Sequence, residues 1–136
     1  MINFRDIEEA FYYVSSDQPF INLAVINRKT GKTYHQSDLA GIDEFPENVN
    51  SEEYIDIPHK NDLGLGKDLV FDFVARYLPN KMAQVNDIFS RKGAYSSFKS
   101  LLISLNLIEK WYEFEDEQTK HALRQWCMEN DLEISD

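Results

Sequence analysis

The chain has 136 residues, 43% of them hydrophobic and 28% charged, a balance that suits one folded domain and is too apolar for a disordered one. Its net charge of −10 disfavours sequence-independent binding to DNA or to anionic lipid, because such binding draws on Lys and Arg. One cysteine, Cys127, excludes an internal disulfide and reads as a small buried hydrophobe in a reducing, cytoplasmic compartment.

Asn3 is a good helix N-cap, and Phe4, Ile7, Phe11 and Val14 follow it as one apolar stripe. The first nine positions carry three acids and no basic stretch before an apolar run, so a secretory leader is not expected. No apolar run approaches the ~20 residues that a membrane helix needs. Ser15 to Pro19 break the helix, and PFINLAVIN then alternates as a strand. NRKTGK reads as a hairpin connection with Gly31 in the left-handed position, and KTYHQ as the returning strand. After an acidic loop with Gly41 and Pro46, EYIDIP reads as a short third strand.

From residue 62 the period is helical. Leu69, Val70, Phe73, Val74 and Tyr77 mark one helix closed by Pro79, and Asn80 is expected to cap the next, which carries Met82, Val85, Ile88 and Phe89. Arg91 and Lys92 fit its last turn and Gly93 its C′ position. Ala94, Phe98, Leu101, Leu102 and Leu105 mark a further helix ended by Asn106. Leu107 to Tyr112 suggest another short one, and Asp116 is expected to cap a last helix with Thr119, Ala122, Leu123 and Trp126. The pattern predicts one α+β domain, residues 1–136. An N-terminal helix and a small antiparallel sheet, made of a hairpin and a short third strand, pack with a C-terminal set of four to five helices.

Charge is segregated along this frame. Residues 37–59 hold Asp38, Asp43, Glu44, Glu47, Glu52, Glu53 and Asp56 with no Lys or Arg. This block reads as a solvated loop that can dock a basic protein partner. Residues 90–110 form a positive island between acidic blocks, and an anion can be held there by Arg91, Lys92, Tyr95, Ser96, Ser97 and Lys99 at the start of a helix. The bland reading of the island is a helix ending followed by a turn. The flanking acids, and the lack of Arg, Asn or Gln on the face of the following helix, argue against DNA.

Asp56, His59 and Asp62 recur at intervals of three, but Pro58 opposes a helix there and no His-x3-His or cysteine pair accompanies them, so no metal is expected. His35 and His121 read as surface histidines. No nucleophile elbow, P-loop or dinucleotide fingerprint is present, and no catalytic residue or cofactor is assigned.

The stretch GAYSSFKSLL, followed by LIEKWYEFEDEQTKHALRQWCMENDLEI, resembles the signature of uncharacterised protein family 0158, a bacterial family of small soluble proteins. Gly93, Ala94, Tyr95, Phe98 and Lys99 fit its G-A-F/Y-x-x-F-K motif, and Trp111 and Phe114 its W-x-x-F step. Ala122 and Trp126 fit its third motif, with Cys127 where an aliphatic residue is usual. The hairpin AVINRKTGKTY is also similar to the family's strand, Thr-Gly turn and strand. The resemblance implies a fold and a bacterial, cytoplasmic setting, and it brings no activity. The reading that follows is a non-enzymatic interaction module with an acidic docking face. Its alternative is a regulator binding an anionic ligand or nucleic acid at the 91–99 corner.

Overall fold

The computed structural model describes residues 1–136. The elements run β1 (Ile2–Asn3), α1 (Phe4–Ser15), β2 (Asn22–Asn27), β3 (Thr33–Ser37), β4 (Ile42–Asp43), β5 (Tyr54–Asp56), α2 (Lys67–Tyr77), α3 (Met82–Phe89), α4 (Ala94–Ser104), α5 (Ile108–Glu129) and β6 (Ile134–Ser135). Single 3-10 turns, Lys60–Leu63 and Pro79–Lys81, precede α2 and α3. The fold is α+β. No helix is long and apolar enough to cross a membrane. Two compact units emerge, residues 1–63 with 120–136 and residues 64–119.

The first unit is built on α1 and the sheet. The Asn3 side chain accepts a hydrogen bond from the Arg5 amide at 2.9 Å, which satisfies one of the amides a helix start leaves unpaired. Phe4, Ile7, Ala10, Phe11 and Val14 form the buried face of α1, and this face packs on β2. The sheet is antiparallel in the order β4-β3-β2-β5. Central β2 buries Ala24, Val25 and Ile26 in succession, so both its faces are covered, which explains why its alternation is only half polar. The hairpin turns at Gly31 with φ +75°, and its amide donates to the Asn27 carbonyl at 2.8 Å. β1 and β6 form a separate two-stranded parallel pair with Ile2 opposite Ile134. Sequence patterning does not reveal β1, β4 or β6, because two residues are too few to show a period.

The second unit surrounds an aromatic core. Trp111 lies edge-on to Phe73 and Phe98, with ring centroids 5.3 and 5.2 Å away. Leu69, Val70, Val74, Val85 and Leu102 close around them.

Three local expectations change here. Asn80 lies inside the 3-10 turn, and Lys81 holds the N-cap place of α3 without a side-chain cap bond. Proline at 79 already supplies the turn, so the asparagine is not needed as a cap. α3 ends at Phe89 with Ser90 as its C-cap, so Arg91 and Lys92 fall beyond the last turn. Gly93 is left-handed as expected, with φ +69°, but it stands at the N-cap of α4. Finally, residues 108–129 form one helix of 22 residues, so Asp116 caps nothing. No Gly or Pro interrupts that span. Its buried positions Trp111, Phe114, Thr119, Leu123 and Cys127 continue past the supposed break, with the buried face turning around the helix between Phe114 and Thr119.

Candidate functional site

An apolar concavity lies in the first unit, a groove of about 640 Å³ between the end of α1, the start of β2 and the chain leaving β5. Val14, Leu23, Ala24 and Ile57 supply its floor, and Pro19, Phe20, Phe45 and Pro58 its apolar sides. Asp56 and Asp62 also line it, with no Lys or Arg among the lining residues.

Phe20 is the unusual member. The Ile21 amide donates to the Gln18 carbonyl at 3.2 Å, closing a four-residue turn with Pro19 at its second position and Phe20 at its third. Phe20 has φ +73°, the left-handed value that a type II turn demands at that place and that glycine or asparagine normally supplies. A phenylalanine there carries strain on the order of 1–3 kcal/mol. Its ring recovers nothing by burial, since the residue is 87% exposed. A strained, solvated aromatic at the edge of an apolar groove is the arrangement of a ligand contact rather than of a core residue.

His59 braces the groove wall. It is 5% exposed, its Nε2 lies 2.8 Å from the Asp17 carbonyl oxygen, and its Nδ1 accepts from the Asn61 amide at 3.0 Å. A carbonyl can only accept and an amide can only donate, so the ring is neutral with its proton on Nε2. The His59 amide in turn donates to Asp62 Oδ2 at 3.0 Å, and the Lys60 amide donates to Ser15 Oγ at 3.0 Å. Both ring nitrogens of His59 are thus engaged in holding the groove wall. The triplet Asp56, His59, Asp62 forms no metal-binding group.

The acidic block is dispersed over this unit. Asp43 is on edge strand β4 and Asp56 on the opposite edge strand β5. Glu44 Oε1 accepts from the His35 amide and contacts His35 Nδ1, both at 3.0 Å; these two bonds hold its carboxyl below the usual carboxylate value. Glu53 pairs with Lys29 at 3.0 Å, and Asp43 accepts from Gln36 Nε2 and the Phe45 amide. Asp38, Glu47 and Glu52 are exposed in turns. Of the seven, Asp56 alone lines the groove.

The 91–99 corner belongs to the second unit. Arg91 is paired with Asp87 at 3.2 Å, four residues earlier. Lys92, Ser96 and Ser97 are exposed, and the Ser97 amide is used by the Gly93 carbonyl at 3.0 Å. The Lys99 ammonium lies 5.7 Å from the centre of the Tyr112 ring. Tyr95 packs edge-on to Phe89 at 5.1 Å; burial, and then the charge of Glu115, push its hydroxyl above the ordinary value. Two of the corner's three cations, Arg91 and Lys99, therefore face Asp87 and an aromatic ring.

A model of the uncharacterised protein family UPF0158 matches residues 7–135. The chain belongs to that family. No curated protein and no solved structure matches it. The residues that carry the family resemblance are largely structural here. Gly93 opens α4, while Phe98, Trp111 and Phe114 are buried in the second unit's core. Phe20 and Phe45 belong to none of those motifs or to the acidic docking set, so composition and motif reading pass over them, and Asp62 stands out only for its spacing from Asp56 and His59. The available signal was Pro19-Phe20, a proline followed by an apolar residue where a turn asks for glycine.

Proposed function

We propose that this member of the UPF0158 family is an interaction module that receives a short basic segment with an apolar anchor from a partner protein. The anchor enters the groove, a Lys or Arg of the partner meets Asp56 and Asp62, and Phe20 closes over the inserted side chain. The observation that carries this reading is the exposed, left-handed Phe20 on the rim of an apolar groove whose only ionised lining groups are carboxylates. An exposed aromatic in such a place gives a large contact area at small cost in side-chain entropy. The remaining acids of the first unit add long-range attraction for a basic partner, a contribution that salt weakens.

The test is fluorescence polarisation with labelled basic peptides that carry one central Leu or Phe, against acidic versions of the same sequences. Basic peptides should bind, more weakly at high salt. Phe20→Gly and Asp56→Asn should each lose binding, with no fall in the thermal midpoint. Equal binding of both peptide sets, or full binding by Phe20→Gly, sinks the proposal.

A further inference from the structure

β5 is an edge strand, paired with β2 on one side only. The register decides which of its backbone groups that pairing uses. The Ile57 amide donates to the Ala24 carbonyl at 2.9 Å and the Arg28 amide to the Glu53 carbonyl at 2.8 Å, with Ile55 opposite Ile26 between them. In an antiparallel ladder, residues that exchange bonds alternate with residues whose N–H and C=O point the other way. Tyr54 and Asp56 are the alternate residues here, so their backbone groups face outward from the sheet. The Tyr54 amide already donates to the Ser51 carbonyl at 3.2 Å, and Pro58, the next position on that side, has no amide. The free edge therefore offers one donor, the Asp56 amide, and two acceptors, the carbonyls of Tyr54 and Asp56. Asp56 is exposed, and its side chain also lines the apolar groove.

We infer, resting on the role proposed above for the groove, that its basic segment binds as an added strand, antiparallel along the outer edge of β5. The segment's Lys or Arg lies opposite Asp56, and its apolar anchor stands two residues before that cation. Antiparallel pairing lets one partner residue take both backbone groups of Asp56, and the two paired side chains then leave the strands on the same face. Residues two apart on a strand share a face. Beyond Asp56 the chain runs through Ile57 and Pro58, which line the groove, and an antiparallel strand brings there the residue two before its cation. The carboxylates of Asp56 and Asp62, with no Lys or Arg in the lining, select a basic strand over an acidic one. A helix laid in the groove would instead carry anchors three or four residues apart and leave the Asp56 amide unpaired.

Amide exchange of the whole chain, with fluorescence polarisation of synthetic peptides, tests the register. Without peptide, the Asp56 amide should exchange near its intrinsic rate while the Ile57 amide is protected. A saturating peptide with Leu two residues before Lys, in an otherwise Ser and Thr sequence, should protect the Asp56 amide. Peptides with Leu three or four residues before Lys should bind more weakly. N-methylation of the Lys amide should weaken binding about tenfold or more, whereas the same change on the residue between Leu and Lys should alter it less than about twofold. Protection of the Asp56 amide in the dilute free chain overturns the inference, as does protection that rises with chain concentration, which assigns the edge to a second copy. Basic peptides that bind without protecting Asp56, or that tolerate both N-methyl groups alike, overturn the added strand and leave the groove's role standing. Failure of every basic peptide to bind overturns both.

Discussion

His59 Nε2 donates to the Asp17 carbonyl oxygen at 2.8 Å, so a single imidazole joins two chain segments 42 residues apart. With Nδ1 accepting from Asn61, every polar atom of this buried ring is used. His59→Ala leaves a carbonyl and an amide without partners, and the expected loss is about 2 kcal/mol or more. Urea unfolding followed by circular dichroism measures it. A loss below about 0.5 kcal/mol, the range of an ordinary surface change, contradicts the structural role.

The two rims of the groove were unequally legible in the sequence. α1, the hairpin and β5 follow from period and turn chemistry, so the floor at Val14, Leu23 and Ala24 was readable as core. The wall was not, because the bond from His59 to Asp17 links residues whose proximity no local pattern encodes. Asp56, His59 and Asp62 stand out in the sequence by their spacing, but their roles differ: a rim charge, a buried brace, and an acceptor for the His59 amide. The acidic block was visible as composition, and its division between opposite sheet edges came only with strand order.

Phe20 separates strain from contact. Phe20→Ala keeps the left-handed residue and removes a solvated ring, so stability should stay within about 0.5 kcal/mol. Phe20→Gly relieves the turn, and after the entropy cost of glycine in the unfolded chain it should gain about 0.5–1 kcal/mol. Thermal unfolding of both variants decides the matter. If Phe20→Ala is strongly destabilised, the ring is packed and the account of the rim is wrong.

Glu44 makes the β3–β4 edge sensitive to acid. Its carboxyl titrates below the ordinary value because the His35 side chain and amide both bond to it. A lowered folded-state value means that its stabilisation is complete above the usual carboxylate range and is lost as pH falls through the lowered value. Protection of the His35 and Glu44 amides, their exchange measured against the intrinsic rate, should therefore fall on acidification. In Glu44→Ala the exchange should already be fast, and its residual pH dependence should follow intrinsic chemistry alone.

Cys127 gives the opposite sign at high pH. Burial pushes its thiol up to about 11, against an ordinary value of 9.0. Between those values the unfolded chain loses the proton and the folded one keeps it, so stability from this group falls as pH rises from 9.0 toward about 11. Below that window the folded thiol should resist aromatic disulfide reagents and react only as fast as the chain opens. Rapid stoichiometric labelling at pH 8 would mean that the thiol is not enclosed.

The continuity of α5 can be tested at one residue. If Asp116 capped a new helix, Glu117 would be its first residue, a place where proline is well tolerated. In the helix of residues 108–129, position 117 is interior, and proline there removes an amide hydrogen bond and clashes with the preceding turn. Glu117→Pro should then cost about 3 kcal/mol or more, while exposed Glu117→Ala stays within about 0.5 kcal/mol. The cost should be felt at both ends of the helix, since Trp111 belongs to the second unit's core and Leu123 and Cys127 are buried in the first. The two tryptophans report on this separately, with Trp111 in one unit and Trp126 in the other. A Glu117→Pro variant as stable as Glu117→Ala would restore the break at Asp116. A loss seen by both tryptophans establishes that one helix serves both units.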